Sequence, residues 1–197
     1  MPENPLISIL MITFNQEKFI AQAIESALMQ HANFKYEIVI GEDYSTDRTR
    51  DIVLEYQEKY SDRIKLLLQG KNVGMHKNFV DTYYACRGKY IALLEGDDYW
   101  TDAHKLQKQV DFLENNPNFS ICFHNMQIIY ANEPHLNRIS NVKQKRITNI
   151  KTLARGNYIF TASCIFRKNF SVFPDWYYKC PVGDYPLHLL NAQYGKI

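Results

Sequence analysis

Three carboxylates fall within four residues at Glu95-Gly96-Asp97-Asp98, directly after the apolar run Tyr90-Ile91-Ala92-Leu93-Leu94. Such a run reads as a buried strand, which puts the acids at its carboxyl end, where open α/β sheets place their ligands. Carboxylates gathered in one place repel one another unless a cation joins them. With no thiol or imidazole beside them, these hard oxygen donors favour Mg²⁺ or Mn²⁺ over Zn²⁺. The alternative for the Asp97–Asp98 pair is a solvated turn or the start of a helix.

Other polar residues stand at predicted strand or helix ends. Asp43 follows the strand Tyr36 to Ile40 and can accept from a base N–H, while Thr13, after Leu6 to Ile12, offers a hydroxyl. Against this, Ser45, Thr46 and Asp47 could simply cap the next helix, leaving Asp43 an ordinary loop acid. Asp184 lies in Pro181-Val182-Gly183-Asp184-Tyr185-Pro186, where acid then proline reads as a helix N-cap. His188 is one turn further on, and a lone histidine among Leu187, Leu189 and Leu190 is more often packed than catalytic.

The elements that position these groups alternate regularly. Ile20, Ala23, Ile24, Ala27 and Leu28 recur at helical spacing after the first strand, with Asn15 as a candidate cap. Ile52, Val53, Tyr56 and Tyr60 mark a second helix, Ile64 to Leu68 a third strand, and Phe79, Val80, Tyr83 and Tyr84 a third helix. With Tyr90 to Leu94 this is a βαβαβαβ series, which predicts an α/β fold with a mostly parallel central sheet and helices on both faces. A helix is expected from about Ala103 to Asn115, ended by Asn116-Pro117. Ser120 to Tyr130 and Ala162 to Phe166 read as longer strands, and Asp184 to Gln193 as a final helix.

Composition limits the alternatives. A chain of 197 residues, 46% hydrophobic and 14% aromatic, can bury one substantial core. A net charge of +2 carries no global signature of nucleic-acid binding. No window reaches the roughly 18 consecutive apolar residues of a membrane span, and Met1-Pro2-Glu3-Asn4-Pro5 lacks the pattern of an export signal, so the expected location is cytoplasmic. Cys86, Cys122, Cys164 and Cys180 show no CxxC spacing and suit reduced thiols. The first loop, Thr13-Phe14-Asn15-Gln16, lacks the glycines of a dinucleotide fingerprint or a P-loop. Between Pro134 and Pro174 there is no acidic residue, while Arg138, Lys143, Lys145, Arg146, Lys151, Arg155, Arg167 and Lys168 fall there. That span is either a solvated loop or an attraction for a phosphorylated or lipid-linked partner at a membrane surface.

Taken in order, LISILMITFNQ, YEIVIGEDYSTDRT and GKYIALLEGDDYW resemble the motifs of family 2 glycosyltransferases of the GT-A fold. Those motifs are an apolar strand ending in T-[FY]-N, a VDDGSTDGT-like loop, and a DADD or DxD sequence. The resemblance extends through Asn72-Val73-Gly74 and KLQKQVDFL to TASCIFR and VGDYPLHLL, nearly the whole chain. It implies a single GT-A domain over 1–197, with about 1–100 binding the nucleotide sugar and about 101–197 forming an acceptor side that relatives usually continue beyond Ile197.

The resemblance further implies that Thr13, Asn15, Asp43, Asn72, Gly74 and Asp97 serve the donor, with Asp43 on the base and Asp98 as the ligand of Mn²⁺ or Mg²⁺. Asp184 matches the catalytic base and His188 stands second. Departures are Glu42 and Tyr44 for the usual Asp and Gly, and Glu95 for the first Asp of DADD; Lys77 or His76 would stand in for the basic residue that often follows N-x-G. Among the aromatics Tyr99, Trp100, Trp176, Tyr177 and Tyr178, some could stack on sugars, while most would be core or rim.

The implied function is metal-dependent, inverting transfer from a UDP- or dTDP-linked sugar to a hydroxyl of a glycan or lipid-linked acceptor, in surface polysaccharide biosynthesis. The implied partners are that donor and acceptor, with no nucleic acid, and with peripheral contact at the inner face of a membrane left open. The alternatives are a sugar-nucleotide pyrophosphorylase, which would want a glycine-rich first loop with a basic residue, and a non-catalytic nucleotide-sugar-binding fragment.

Overall fold

The computed structural model describes residues 4–130, 132–140 and 143–197. Four strands, β1 (Ile7–Thr13), β2 (Tyr36–Glu42), β3 (Ile64–Leu68) and β4 (Tyr90–Leu93), alternate with the helices α1 (Ile20–Leu28), α2 (Thr49–Lys59) and α3 (Met75–Ala85). β1 pairs in parallel with β2 and β4, and β2 with β3. The chain then adds α4 (Lys105–Asn115), β5 (Ile121–Cys122), β6 (Gln127–Ile128), β7 (Arg138–Ile139), α5 (Ile150–Leu153), β8 (Ile165–Arg167) and α6 (Asp184–Ala192). The central sheet has six strands in the order β3-β2-β1-β4-β8-β5, with β8 antiparallel to both β4 and β5.

The period-two pattern of the strands explains the layering. Ile7, Ile9 and Met11, with Ile38, Ile40, Tyr90 and Ala92, point to one face, where they meet Ile20, Ala23 and Ile24 of α1, Val53 of α2, and Leu106 and Val110 of α4. The intervening residues Leu10, Val39, Ile91 and Leu93 face Phe79, Val80 and Tyr83 of α3 and Leu187 of α6. A strand that is apolar on both faces must be covered on both, as the βαβ series predicts. Because every parallel strand ends on the same side, Thr13, Asp43 and Glu95 emerge at one edge of the sheet.

Three expectations need correction. The segments Ser120–Tyr130 and Ala162–Phe166 are not long strands. Ser163 N–H donates to Phe160 O, closing a 3₁₀ turn before β8, and β6 leaves the sheet to pair with β7 as a separate ribbon, fastened by reciprocal Met126–Ser140 hydrogen bonds of 2.8 Å. Asn15 does not cap α1, which begins at Ile20. Its backbone is left-handed at φ 53° and its Oδ1 accepts from Thr46 N–H at 2.8 Å, tying the first loop to the second. Asp184 is the first residue of α6, with Gly183 rather than Asp184 at the cap position.

Candidate active site

The loop after β2 is built around two buried acids. Glu42 Oε1 accepts from Ser45 N–H at 2.6 Å, and its Oε2 pairs with Arg50 of α2. Asp43 Oδ1 accepts from Val73 N–H at 2.7 Å and Oδ2 from Gly74 N–H at 3.0 Å. Each carboxylate oxygen retains a lone pair. Gly74, at φ 84°, occupies a conformation that L side chains rarely adopt and opens α3. Tyr44 is itself left-handed at φ 61°, where the family pattern has glycine, and its ring lies under the Arg50 guanidinium at 5.1 Å.

The acidic loop closes against the first loop. Thr13 Oγ1 donates to Gln16 Oε1 at 2.7 Å, and a Cβ added at Gly96 would lie 2.4 Å from that same Oε1 and 2.9 Å from Thr13 Oγ1. Only a glycine lets the two loops approach this closely. Thr13, Asp43, Asn72, Gly74 and Asp97 come together around a cavity of about 390 Å³, whose wall also includes Gln16, Asn78, Glu95 and the apolar Ile12, Phe14 and Met75. Asn15 does not line it, and neither do His76 and Lys77. Lys77 is paired with Asp81 at 2.8 Å, and His76 turns towards Val182 O at 3.4 Å.

Asp98 faces a second cavity of about 840 Å³, for which Glu95 and Asp97 form the wall shared with the first. Its other walls come from Tyr99 and Trp100, from Lys105 and Gln109 of α4, from the β6–β7 ribbon, and from Phe160 to Ala162. Trp100 is core, its Nε1–H donating to Ala162 O at 2.8 Å, whereas Tyr99 is exposed. Tyr177 is likewise core, and Trp176 and Tyr178 are exposed.

Charge is crowded here. Burial, then the neighbouring charges of Asp98, Asp97 and Asp184, push the Glu95 carboxyl up to about 7. Burial and Asp97 push Asp98 up to about 6. The acids therefore destabilise one another's charged forms, and a cation between them would relieve it. Among the described residues, no group of three or more His, Cys, Asp or Glu side chains is arranged to hold a metal ion. One or two carboxylates are nonetheless the usual protein share of a Mg²⁺ site completed by substrate phosphates.

Asp184 lines neither cavity but is close enough to raise Glu95. Its Oδ1 accepts from Tyr185 N–H at 2.7 Å and its Oδ2 from the Asn157 side-chain amide at 3.0 Å. His188 is fully buried, neither ring nitrogen has a hydrogen-bond partner of normal geometry among the described residues, and burial pulls it down to about 4. It is neutral at pH 7. Cys86 and Cys164 are buried thiols pushed up to about 12 by burial, while Cys122 and Cys180 are half-buried; all four are free.

Sequence reasoning missed Gln16, Asn78, Lys105 and Asn157. Gln16 stands three residues after Thr13, a spacing that allows their side chains to meet across a turn. Asn157 carries no local signal, because it reaches Asp184 only through the fold.

A mostly parallel sheet carrying a cluster of acids at its carboxyl edge, beside a cavity lined by strand-end polar groups, defines a ligand-binding α/β protein. The chain belongs to glycosyl transferase family 2, whose model, described as "Glycosyl transferase family 2", matches residues 8–173. An uncharacterized Mycobacterium tuberculosis protein is 36% identical over 97% of this chain and 55% of its own. The Escherichia coli UDP-Glc:alpha-D-GlcNAc-diphosphoundecaprenol beta-1,3-glucosyltransferase WfgD is 37% identical over 64% of this chain and 48% of its own. The mannosyltransferase PcManGT from Pyrobaculum calidifontis, solved with GDP-Man and Mn²⁺, superposes with a TM-score of 0.64 at 15% identity, covering 85% of this chain and 46% of that one, and so shares the fold. The chain spans about half the length of the curated relatives it matches.

Proposed function

We propose that this chain binds a nucleoside diphosphate sugar at the carboxyl edge of its sheet and transfers the sugar, with inversion, to a hydroxyl of a glycan or lipid-linked acceptor in polysaccharide biosynthesis. The observation that carries the reading is the shared wall. Glu95 and Asp97 separate a cavity lined by Thr13, Asp43, Asn72 and Gly74 from a larger one beside Asp98, so a donor in the first would present its diphosphate to the acids. WfgD is named for a UDP-sugar donor, which favours UDP here.

The oxygen donors at this edge fit Mg²⁺ or Mn²⁺, and Asp98, with Asp97, would hold the ion. When bound, a divalent ion supplies neutralisation of the charge that builds on the diphosphate as the glycosidic bond breaks. Asp43 would accept from the nucleobase with its free lone pairs while its other two hold the Val73–Gly74 turn. Asp184 would take the proton of the acceptor hydroxyl, its carboxylate aimed by Asn157. Direct displacement assisted in this way inverts the anomeric centre.

Among the described residues no helix is long and apolar enough to cross a membrane. The exposed Ile129, Leu136, Ile139 and Ile147 lie among exposed basic residues, a combination that suits peripheral contact at the inner face of a membrane. Calorimetric titration of UDP, GDP and dTDP with and without Mn²⁺ tests the donor reading. UDP should bind more tightly with Mn²⁺, and Asp98→Asn should remove that enhancement; equal enhancement in both proteins would exclude Asp98 as the ligand.

A further inference from the structure

Among the described residues, no carboxylate stands as a salt-bridge partner to Lys105. This residue opens α4 at 4% exposure, its Nζ donates to Gln109 Oε1 at 2.7 Å, and it lies 4.3 Å over the Trp100 ring. Gln109 cannot turn away, since its Nε2 donates to Cys122 O at 2.9 Å and to Ser163 O at 3.1 Å. The ammonium is thus held between a neutral amide and an aromatic face.

Burying an ammonium costs several kcal/mol, and a methionine would fill the same space without that cost. Burial alone pulls the amine down to about 7. Lys108, one turn further along α4, illustrates the contrast: it is exposed and satisfied by Asp102 at 2.6 Å.

Lys105 and Gln109 both line the cavity of about 840 Å³, together with Tyr99, His124, Arg138 and Phe160. That volume is in the range of small-molecule sites, and the aromatic edges suit a sugar ring. The groups assigned to the nucleoside lie beyond the acidic wall, in the other cavity. Three basic residues line it, Lys105 and Lys108 from α4 and Arg138 from the β6–β7 ribbon, elements the donor reading leaves without a task. Arg138 is exposed beside Tyr130, its guanidinium 5.9 Å from the ring.

We propose that this cavity is the acceptor subsite, and that Lys105 is the counter-ion for an oxyanion, a sugar carboxylate or a phosphate, carried by the acceptor. The proposal rests on the glycosyltransferase reading for the word acceptor, but the anion site itself can be tested alone. An acceptor of this class fills the third position on the Lys105 nitrogen, beside Gln109 and Trp100.

The test is titration of the protein with glucuronate, with inorganic phosphate and with neutral methyl glucoside, following the Trp100 indole N–H by NMR. In the wild type, glucuronate or phosphate shifts this signal with saturation, and Lys105→Met, which keeps the bulk and removes the charge, binds that oxyanion at least tenfold more weakly. Methyl glucoside behaves alike in both proteins. Which oxyanion saturates decides between carboxylate and phosphate. If neither moves the Trp100 signal, or if Lys105→Met binds them as well as wild type, the proposal is overturned. UDP titration of the wild type judges the donor reading separately, since its failure leaves the oxyanion result standing.

Discussion

The Asn157 side-chain amide donates to Asp184 Oδ2 at 3.0 Å, joining the loop after α5 to the first residue of α6. The opposite carboxylate oxygen accepts from Tyr185 N–H at 2.7 Å, so the group is held from both sides. Asn157→Ala removes one hold without touching the charge. Turnover should fall about tenfold, the scale of one hydrogen bond to a charged group, while the dissociation constant for the donor stays constant. Steady-state kinetics beside a donor titration would check it, and an unchanged turnover would show that Asn157 does not position the base.

Asp43 has two tasks. Its carboxylate satisfies the N–H groups of Val73 and Gly74, at 2.7 and 3.0 Å, and is proposed to read the nucleobase. Asp43→Ala should therefore speed hydrogen exchange at both amides and weaken UDP by roughly 1–3 kcal/mol, leaving the Mn²⁺ enhancement in place. Faster exchange with undiminished UDP affinity would leave Asp43 a structural acid only.

Gly96→Ala tests the junction of the two loops. The added methyl would meet Gln16 Oε1 at 2.4 Å and Thr13 Oγ1 at 2.9 Å. Gln16 and the Thr13 hydroxyl can rotate away, but Thr13 Cβ, 3.0 Å from the added methyl, is fixed by β1, so the acidic loop must shift. UDP affinity should drop about tenfold or more while the far-ultraviolet dichroism remains that of wild type; wild-type affinity would mean that the cavity does not hold the nucleotide.

His188 gives a pH prediction whose sign follows from burial. Its ring is held down to about 4, against 6.5 for a free histidine. Above pH 6.5 both folded and unfolded states are neutral there and pH has no leverage. Between 6.5 and 4 the unfolded chain takes up the proton first, so stability falls with falling pH by up to about 1.4 kcal/mol per unit. His188→Leu should lessen the loss of thermal stability between pH 7 and 5 and retain most transfer activity. A variant as acid-sensitive as wild type would contradict the burial argument, and an inactive but folded one would move the base to His188.

Much of this was legible in the chain. β1, β2 and β4 are largely apolar runs, broken by Ser8 in β1 and Glu37 in β2, and are buried on both faces, whereas β3 carries Lys65 and is only partly buried; the acids at the end of β4 announce themselves by position. The second half was harder. Ser120–Tyr130 has strand-like residues, but its path is settled by Ser140, fourteen residues from Met126, which draws β6 away from the sheet. Asp184 reads as a cap because sequence cannot show that Asn157 meets it across the fold. Lys105 was hidden for a related reason: a lysine at a helix start reads as solvated, and only the tertiary placement of Trp100 and Gln109 buries it.

If this site transfers sugar from a nucleoside diphosphate donor with Asp184 as the base, the decisive experiment is sugar release and transfer from a UDP-sugar, measured for the wild type and Asp184→Asn alongside their donor affinities. Asparagine can still accept from Tyr185 N–H, so the change removes charge and little else. Donor affinity should stay within about twofold of wild type while turnover falls by about 10²–10⁴-fold. An Asp184→Asn protein that transfers sugar at the wild-type rate would contradict Asp184 as the base.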